Sequence, residues 1–269
     1  MQMAAMEGSG QTTFTEGESY QDHFDPRAYL NSFYSCPHGN SDENCLKYEL
    51  RQLSKSFGAG KYKGRRLIEI GSGPSIHGLI SACEHFEEII MSDFADCNRQ
   101  EIERWLRADA DCFDWDPVIQ FVCEVEGNRR TPGEKKVRLQ QTVKQVLKCD
   151  VRLENPFGPL VVGPADCLLS CLCLEAACRD LETYQRVLGN LKMLLKPGAV
   201  LVMVGVLNET FYMVGGKRFS CLPLRESFIQ ETLKNLGFSI EEFNVMPVRS
   251  NNIVSDFTGI FHVVAHNCF

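Results

Sequence analysis

The run "RRLIEIGSGPSI", residues 65–76, constrains this chain more than any other stretch. Leu67, Ile68 and Ile70, interrupted only by Glu69, lead straight into Gly71-Ser72-Gly73-Pro74. A short apolar run without alternation fits a strand buried on both faces, the kind that parallel sheets use. Two glycines directly behind it mark a tight turn where a ligand can approach the backbone.

The rest of the chain alternates between the two periodicities. A helix is expected over 43–57, where Leu46, Leu50, Leu53 and Phe57 share a face, with Gly58 and Gly60 ending it. "SIHGLISACEHF" reads as a helix with Pro74 in its first turn, and "EEIIMSDF" as a second strand ending at Asp93. "DCNRQEIERWL" reads as a helix with Asp96 or Asn98 as N-cap. Residues 107–134 give only a turn-rich connector and a loop, and a helix is expected over 134–147, leading to "KCDV". "ADCLLSCLCLE" reads as a fourth strand with its loop, and "DLETYQRVLGNLKMLL" as an amphipathic helix stopped by Lys196-Pro197-Gly198. The strand "AVLVMVGVL", the helix "RESFIQETLKNLGF" and the strands "SIEEFNVMPV" and "GIFHVVAHN" complete the chain. Strands alternating with helices predict an α/β, Rossmann-like fold with a mostly parallel central sheet and helices on both faces. Its ligand belongs beyond the carboxyl ends of the strands, at the switch point. Residues 1–13 read as a disordered tail and 14–269 as one domain, with 14–60 an N-terminal helical lid and 61–269 the core.

The chain has 269 residues and a net charge of −7, and its basic clusters at 61–66 and 129–138 are broken by Gly, Pro or Glu. They give no nucleic-acid footprint. No apolar stretch reaches the roughly 18 residues of a membrane helix, and the N-terminus carries no signal-peptide pattern. A cytoplasmic protein is expected. The 13 cysteines include the cluster "ADCLLSCLCLEAAC", which has no second CxxC and no nearby His. No metal site is expected, and the cysteines read as small buried hydrophobes in a reducing compartment.

A dinucleotide, a phosphate and S-adenosylmethionine (SAM) all bind at glycine turns of this type. The dinucleotide pattern G-x-G-x-x-G fails, because Ile76 holds the third glycine position and Gly78 comes two residues late. No G-K-[ST] comes after it, so it is not a phosphate-binding P-loop. Asp93 lies about 20 residues past Gly73 at a strand end, where a carboxylate can accept both ribose hydroxyls of an adenosine. Asp150, or the backbone beside it, is placed to take an adenine amino group. With "LLKPGAVLVMV" downstream, the order of features resembles SAM-dependent methyltransferases of the Rossmann-like class.

The resemblance extends further. "FDPRAYLNSFY", "LIEIGSGPSI", "ISACEHFEEIIMSDF", "CFDWDPVIQFVCEVEGN", "VKQVLKCDV" and "ADCLLSCLCLEAACRDLETYQRVLGNLKMLLKPG" together resemble one vertebrate family. It comprises the nicotinamide, indolethylamine and phenylethanolamine N-methyltransferases, and the likeness runs from about Phe14 to about Ala265. It implies a monomeric cytosolic enzyme that moves a methyl group from SAM to the nitrogen of a small molecule. It assigns Tyr29 and Tyr34 to a segment closing over the cofactor, and Gly71 and Ser72, with Gly73, to the glycine loop. Asp93 is assigned to the ribose, Asn98 to a polar contact nearby, and Asp150 and Val151 to the adenine. Cys171 stands where a relative has a hydroxyl residue beside the cofactor. His77 replaces a tyrosine and could still donate to the SAM carboxylate, while Phe33 replaces a further lid tyrosine.

Protonation separates the substrate classes. A pyridine nitrogen is largely neutral at neutral pH, whereas an alkylamine is an ammonium that must lose a proton before it attacks. Glu175 and Glu209 match acids that the phenylethanolamine enzyme uses around its amine, and Tyr212 an aromatic that flanks the substrate. The nicotinamide enzyme has an acid at the position of Gly205 and a serine at that of Cys221, both holding the carboxamide, and neither is kept. "FSCLPL", with Cys221, looks more like the indolethylamine enzyme. Ser255, with Asp256 next to it, stands for a further acid of the phenylethanolamine site. The expected activity is N-methylation of an indolethylamine-like amine, with a pyridine or phenylethanolamine substrate as the alternative.

Overall fold

The computed structural model describes residues 13–35, 44–248 and 253–268, so the tail expected over 1–13 falls, except for Thr13, outside the described residues. The strands are β1 (Gly64–Ile70), β2 (Phe86–Asp93), β3 (Val143–Lys148), β4 (Ala165–Cys171), β5 (Leu195–Leu207), β6 (Phe211–Val214), β7 (Lys217–Ser220), β8 (Phe238–Pro247) and β9 (Gly259–Asn267). The helices are α1 (Gly17–His23), α2 (Pro26–Phe33), α3 (Cys45–Phe57), α4 (Asp96–Leu106), α5 (Asp116–Val125), α6 (Pro132–Thr142), the short α7 (Leu174–Ala177), α8 (Leu181–Lys192) and α9 (Glu226–Asn235).

Seven strands form one sheet in the order β3-β2-β1-β4-β5-β9-β8. The first five are parallel to one another, and β9 runs antiparallel between β5 and β8. β1 is central: Leu67, Ile68 and Ile70 are fully buried, as its unalternated sequence requires. The chain leaves β1 for β2 on one side and later returns to β4 on the other, so a crevice opens at their carboxyl ends. Two apolar layers, one on each face of the sheet, give the Rossmann-like arrangement. No helix among the described residues is long and apolar enough to cross a membrane.

Side-chain caps fix several helix starts. Asp25 accepts from the amides of Arg27 and Ala28 ahead of Pro26, Asn44 accepts from Lys47, and Thr131 with Glu134 forms a capping box.

Five expectations need correction. "SIHGLISACEHF" is not a helix but two 3₁₀ turns, His77–Leu79 and Ala82–Glu84. Residues 76–83 are buried on every side, so packing rather than an amphipathic stripe sets their path. Neither Asp96 nor Asn98 caps α4. Ala95 is the N-cap, and the Asp93 carboxylate takes its amide instead. The turn-rich region hides α5, whose buried Val118, Ile119, Phe121 and Val122 share one face, with Pro117 in its first turn. The helix expected over 134–147 stops at Thr142, and 143–148 form the edge strand β3. Finally, β6 and β7 pair through Gly215-Gly216, both at positive φ, a two-residue hairpin that "FYMVGGKRFS" announces by its Gly-Gly centre.

Gly78 performs the close packing that a third glycine performs in other loops. A Cβ there would meet Glu69 Oε1 at 2.7 Å and Leu169 at 3.1 Å. Gly78→Ala should lower stability by about 1–3 kcal/mol in urea unfolding, the usual cost of overpacking.

Candidate active site

The crevice holds a cavity of about 270 Å³. Its floor is made of the segments at the carboxyl ends of the parallel strands: Gly71, Ser72 and Gly73 after β1, Asp93 at the end of β2, and Asp150 and Val151 after β3. Cys171 and Cys173 come from the end of β4, and Val206 and Glu209 from the end of β5 and just beyond. Gly71 has φ +67, and a Cβ on it would overlap Cys173 Sγ at 2.0 Å, so no other residue fits there. Gly73 has φ +58, and a Cβ on it would meet nothing within 4 Å.

The Asp93 carboxylate organises this floor. Its Oδ2 accepts from Gly73 N at 2.8 Å, and its Oδ1 accepts from Ala95 N and Asn98 Nδ2, each at 2.9 Å. Asp150 is held bidentately by Arg152, Nε donating to Oδ1 at 2.9 Å and a terminal nitrogen to Oδ2 at 3.0 Å. Burial raises the Asp150 pKa, but the Arg152 bonds outweigh it and leave the carboxyl below its ordinary value.

The roof is aromatic. Tyr20 from α1, Phe24 from the α1–α2 link, Tyr29 and Phe33 from α2 and Tyr34 at its C-cap all line the cavity. The β6–β7 hairpin closes the other side. Tyr212 stacks on Phe219 and donates its hydroxyl to that of Tyr20 at 3.0 Å. Thr15 and Ser220 lock the two parts together: Thr15 N donates to Ser220 Oγ at 2.7 Å, and Ser220 N donates to Thr15 Oγ1 at 2.8 Å.

Between floor and roof stand buried acids. Burial lifts the Glu175 carboxyl from its ordinary 4.5 to about 7, with the charge of Glu49 adding and hydrogen bonds from its own amide and Val206 N opposing. Burial lifts Glu209 to about 8, with Glu175 and Asp256 adding and a Cys221 hydrogen bond opposing. Glu69, under the glycine loop, is lifted by burial to about 7 and accepts from Ser72 Oγ at 2.7 Å.

Most residues singled out from the sequence converge here. Tyr212, Cys221 and Ser255 line the cavity beside Glu209, and Asn98 lines it beside Asp93. Two do not reach it. His77 is buried outside the cavity lining, with Nδ1 2.9 Å from Ser75 Oγ and Nε2 3.2 Å from Glu49 Oε2 but without an aligned hydrogen bond. Gly205 points at Phe261, whose ring a Cβ would meet at 2.6 Å, while Glu175 Oε1 would stand 3.1 Å away. Asp256 is used by the hairpin, accepting from the amides of Thr210 and Phe211. The sequence pattern alone does not single out Tyr20, Arg152 or Glu49. Glu49 has a signal nonetheless: it lies three residues after Leu46 and four before Leu53, on the apolar stripe of α3. Among the described residues no cluster of His, Cys, Asp or Glu has the makings of a metal site, and several of the described cysteines are only half-buried.

Solved structures share this fold. Magnesium protoporphyrin IX methyltransferase (ChlM) from Synechocystis PCC 6803 with bound SAM superposes with a TM-score of 0.57 at 12% identity, over 95% of this chain and 99% of that one. The [4+2]-cyclase SpnF gives the same TM-score at 12% identity, over 94% and 97%, so the fold alone does not select a reaction. The sequence profile of the NNMT/PNMT/TEMT family matches residues 11–268. The chain belongs to that family. It is 46% identical to human nicotinamide N-methyltransferase over 94% of this chain and 96% of that one. Against rabbit (Oryctolagus cuniculus) indolethylamine N-methyltransferase the figure is 44%, with the same coverage. Against pig (Sus scrofa) phenylethanolamine N-methyltransferase it is 41% over 90% and 88%.

As a member of the NNMT/PNMT/TEMT family the chain is a SAM-dependent N-methyltransferase. The residues present fit that cofactor. Both the Asn98 Nδ2 and the Ala95 amide occupy Asp93 Oδ1, but Oδ2 takes only one hydrogen bond, and Asn98 Oδ1 is buried without a partner. One acceptor position on Asp93 and one on Asn98 remain, and these would hold the two ribose hydroxyls of the cofactor. A pyrophosphate would want a helix N-terminus behind the loop; the 3₁₀ turns offer none, as suits a cofactor without phosphate.

Asp93→Ala should remove measurable SAM binding in calorimetry, since it takes away the ribose acceptor and leaves three buried donors unpaired; unchanged affinity would refute the assignment. A second outcome concerns stability. A carboxyl raised in the folded state favours the fold when protonated, and that advantage disappears as pH rises from 4.5 toward the raised value. Glu209→Gln should therefore raise the Tm of the ligand-free protein above about pH 8 and leave it nearly unchanged near pH 5, as differential scanning fluorimetry would read.

Proposed function

We propose that this enzyme, a cytosolic monomer, methylates the nitrogen of a small arylalkyl amine of the tryptamine kind. The observation that supports this best is the pair Glu175 and Glu209, two buried carboxyls at about 7 and about 8 facing an aromatic cavity. An alkylammonium entering there draws the two carboxyls toward their ionised forms and finds in them bases whose pKa values lie near the working pH. Bound SAM supplies an electrophilic methyl on a sulfonium. Everything else is done by the chain: it orients the amine, takes its proton at Glu209 or Glu175 directly or through water, and excludes bulk solvent under the tyrosine roof. Orientation of this sort contributes about 7–11 kcal/mol in the best cases.

The cavity lining supports an amine over a carboxamide. The acid expected for holding a carboxamide is absent at 205, and the packing of Phe261 against Gly205 leaves no room for one. Cys221, next to Glu209, is a weak partner for an amide. A pyridine remains the second reading, supported by the similarity to the nicotinamide enzymes.

Glu209→Gln should lower kcat/KM for tryptamine at neutral pH by about a hundredfold, within the usual range for losing a general base, and should hardly affect a pyridine. Equal losses on both would remove the amine role. In the wild type, kcat/KM for tryptamine should rise with pH through the range of about 7 to 8 where the two acids ionise. Assays over tryptamine, phenylethanolamine and nicotinamide rank the substrates directly.

A further inference from the structure

We propose that Glu49 is a specificity residue that reads a second cationic nitrogen on the substrate, so that aryl diamines are favoured over aryl monoamines; this rests on the amine-methylating reading above. Glu49 lies on the buried face of α3 and is 4% exposed. Packing alone would place a leucine there, because a buried carboxylate costs several kcal/mol unless it is paired. Its protein partner uses little of its capacity. His77 Nε2 is 3.2 Å from Glu49 Oε2, yet both atoms lack an aligned hydrogen bond. The His77 ring cannot swing closer, since Ser75 Oγ holds its other nitrogen and Tyr34 packs on its face at 4.9 Å. The carboxylate instead lines the cavity, in company with Phe33 and Phe257.

The other acids of the cavity are already engaged or already assigned. Asp93 accepts three N–H bonds, and Asp150 is held by Arg152. Glu175 and Glu209 serve the reacting nitrogen. Glu175 lies between the other two in electrostatic terms: Glu49 acts on it, it acts on Glu209, and all three act on the Tyr29 hydroxyl. At the Glu209 end, Ser255 Oγ is buried, lines the cavity and has no partner, a polar group waiting for a ligand. A monoamine bound at that end leaves the Glu49 carboxyl with only its unaligned His77 contact. A second ammonium on the substrate gives it an aligned donor, near the rings of Phe33 and Tyr34 that line the same cavity and whose faces also attract cations.

The test compares para-aminomethyl phenethylamine with its para-methyl counterpart and with tyramine, by turnover and by calorimetry on the protein saturated with S-adenosylhomocysteine. The diamine should exceed the methyl compound by at least about tenfold in kcat/KM and in affinity, the scale of one charged hydrogen bond. In Glu49→Gln the diamine should lose at least about tenfold more than the methyl compound. Glu49→Leu should lose the preference too while raising Tm, whereas a merely structural acid would lower Tm and weaken all three ligands alike. Equal values for diamine and methyl compound in the wild type, an unchanged ratio in Glu49→Gln, or tyramine matching the diamine would each overturn the proposal. A diamine preference in calorimetry without turnover of any amine would instead refute the amine-methylating reading and leave the role of Glu49 standing.

Discussion

Three pieces of the floor meet on one carboxylate. Asp93, at the end of β2, binds the Gly73 amide of the loop after β1, the Ala95 amide where α4 begins, and the Asn98 side chain one turn later. Neighbouring strands β1 and β2 are thereby tied at the end where the crevice opens, and α4 is aimed by the same group. Burial pushes the Asp93 pKa up despite these donors, which marks it as a desolvated charge and not a surface acid. The glycine loop then needs its left-handed Gly71 to pass under Cys173, so the loop, β2 and the end of β4 are set by one local arrangement.

The roof that faces this floor is built from residues far apart in sequence. Tyr20 and Tyr212 share a hydrogen bond across 192 positions, and Thr15 and Ser220 exchange two across 205. Each such bond contributes about 0.5–1.5 kcal/mol net, and the buried cluster of Phe24, Val214 and Phe219 packs the same two parts together. The floor, by contrast, rests on fully buried strands. A floor of local contacts and a roof of long-range ones together enclose a site from which water can be excluded.

Legibility in the sequence divides the same way. The buried strand at 67–70, the glycine turn and the acid at 93 carry local signals, because burial on both faces and positive φ restrict residue type at single positions. Asp150, Glu175 and Glu209 are legible too, since each closely succeeds a strand or its end. The 3₁₀ turns after Pro74 pass for a helix because a segment buried on all sides has no stripe to report its pitch. Glu49 is easily passed over for a different reason: the leucines of its helical stripe carry the pattern, and one acid among them leaves that pattern intact. His77 stands out in the sequence as a departure, but its neighbour Glu49 becomes visible only in three dimensions. The roof pairs are invisible, as no local pattern encodes a bond between residues about 200 positions apart.

The acids bind floor, roof and chemistry into one energetic problem. Without ligand, the fold must either leave Glu175 and Glu209 protonated or desolvate their charges, and both options weaken it as pH rises. A cationic ligand reverses the sign: the ionised carboxylates become its partners, and the penalty carried by the empty cavity is released as binding free energy. That release is largest when the roof is closed, because attraction between the charges grows as water leaves. Closure over a cation is therefore favoured more than closure over a neutral molecule of the same shape.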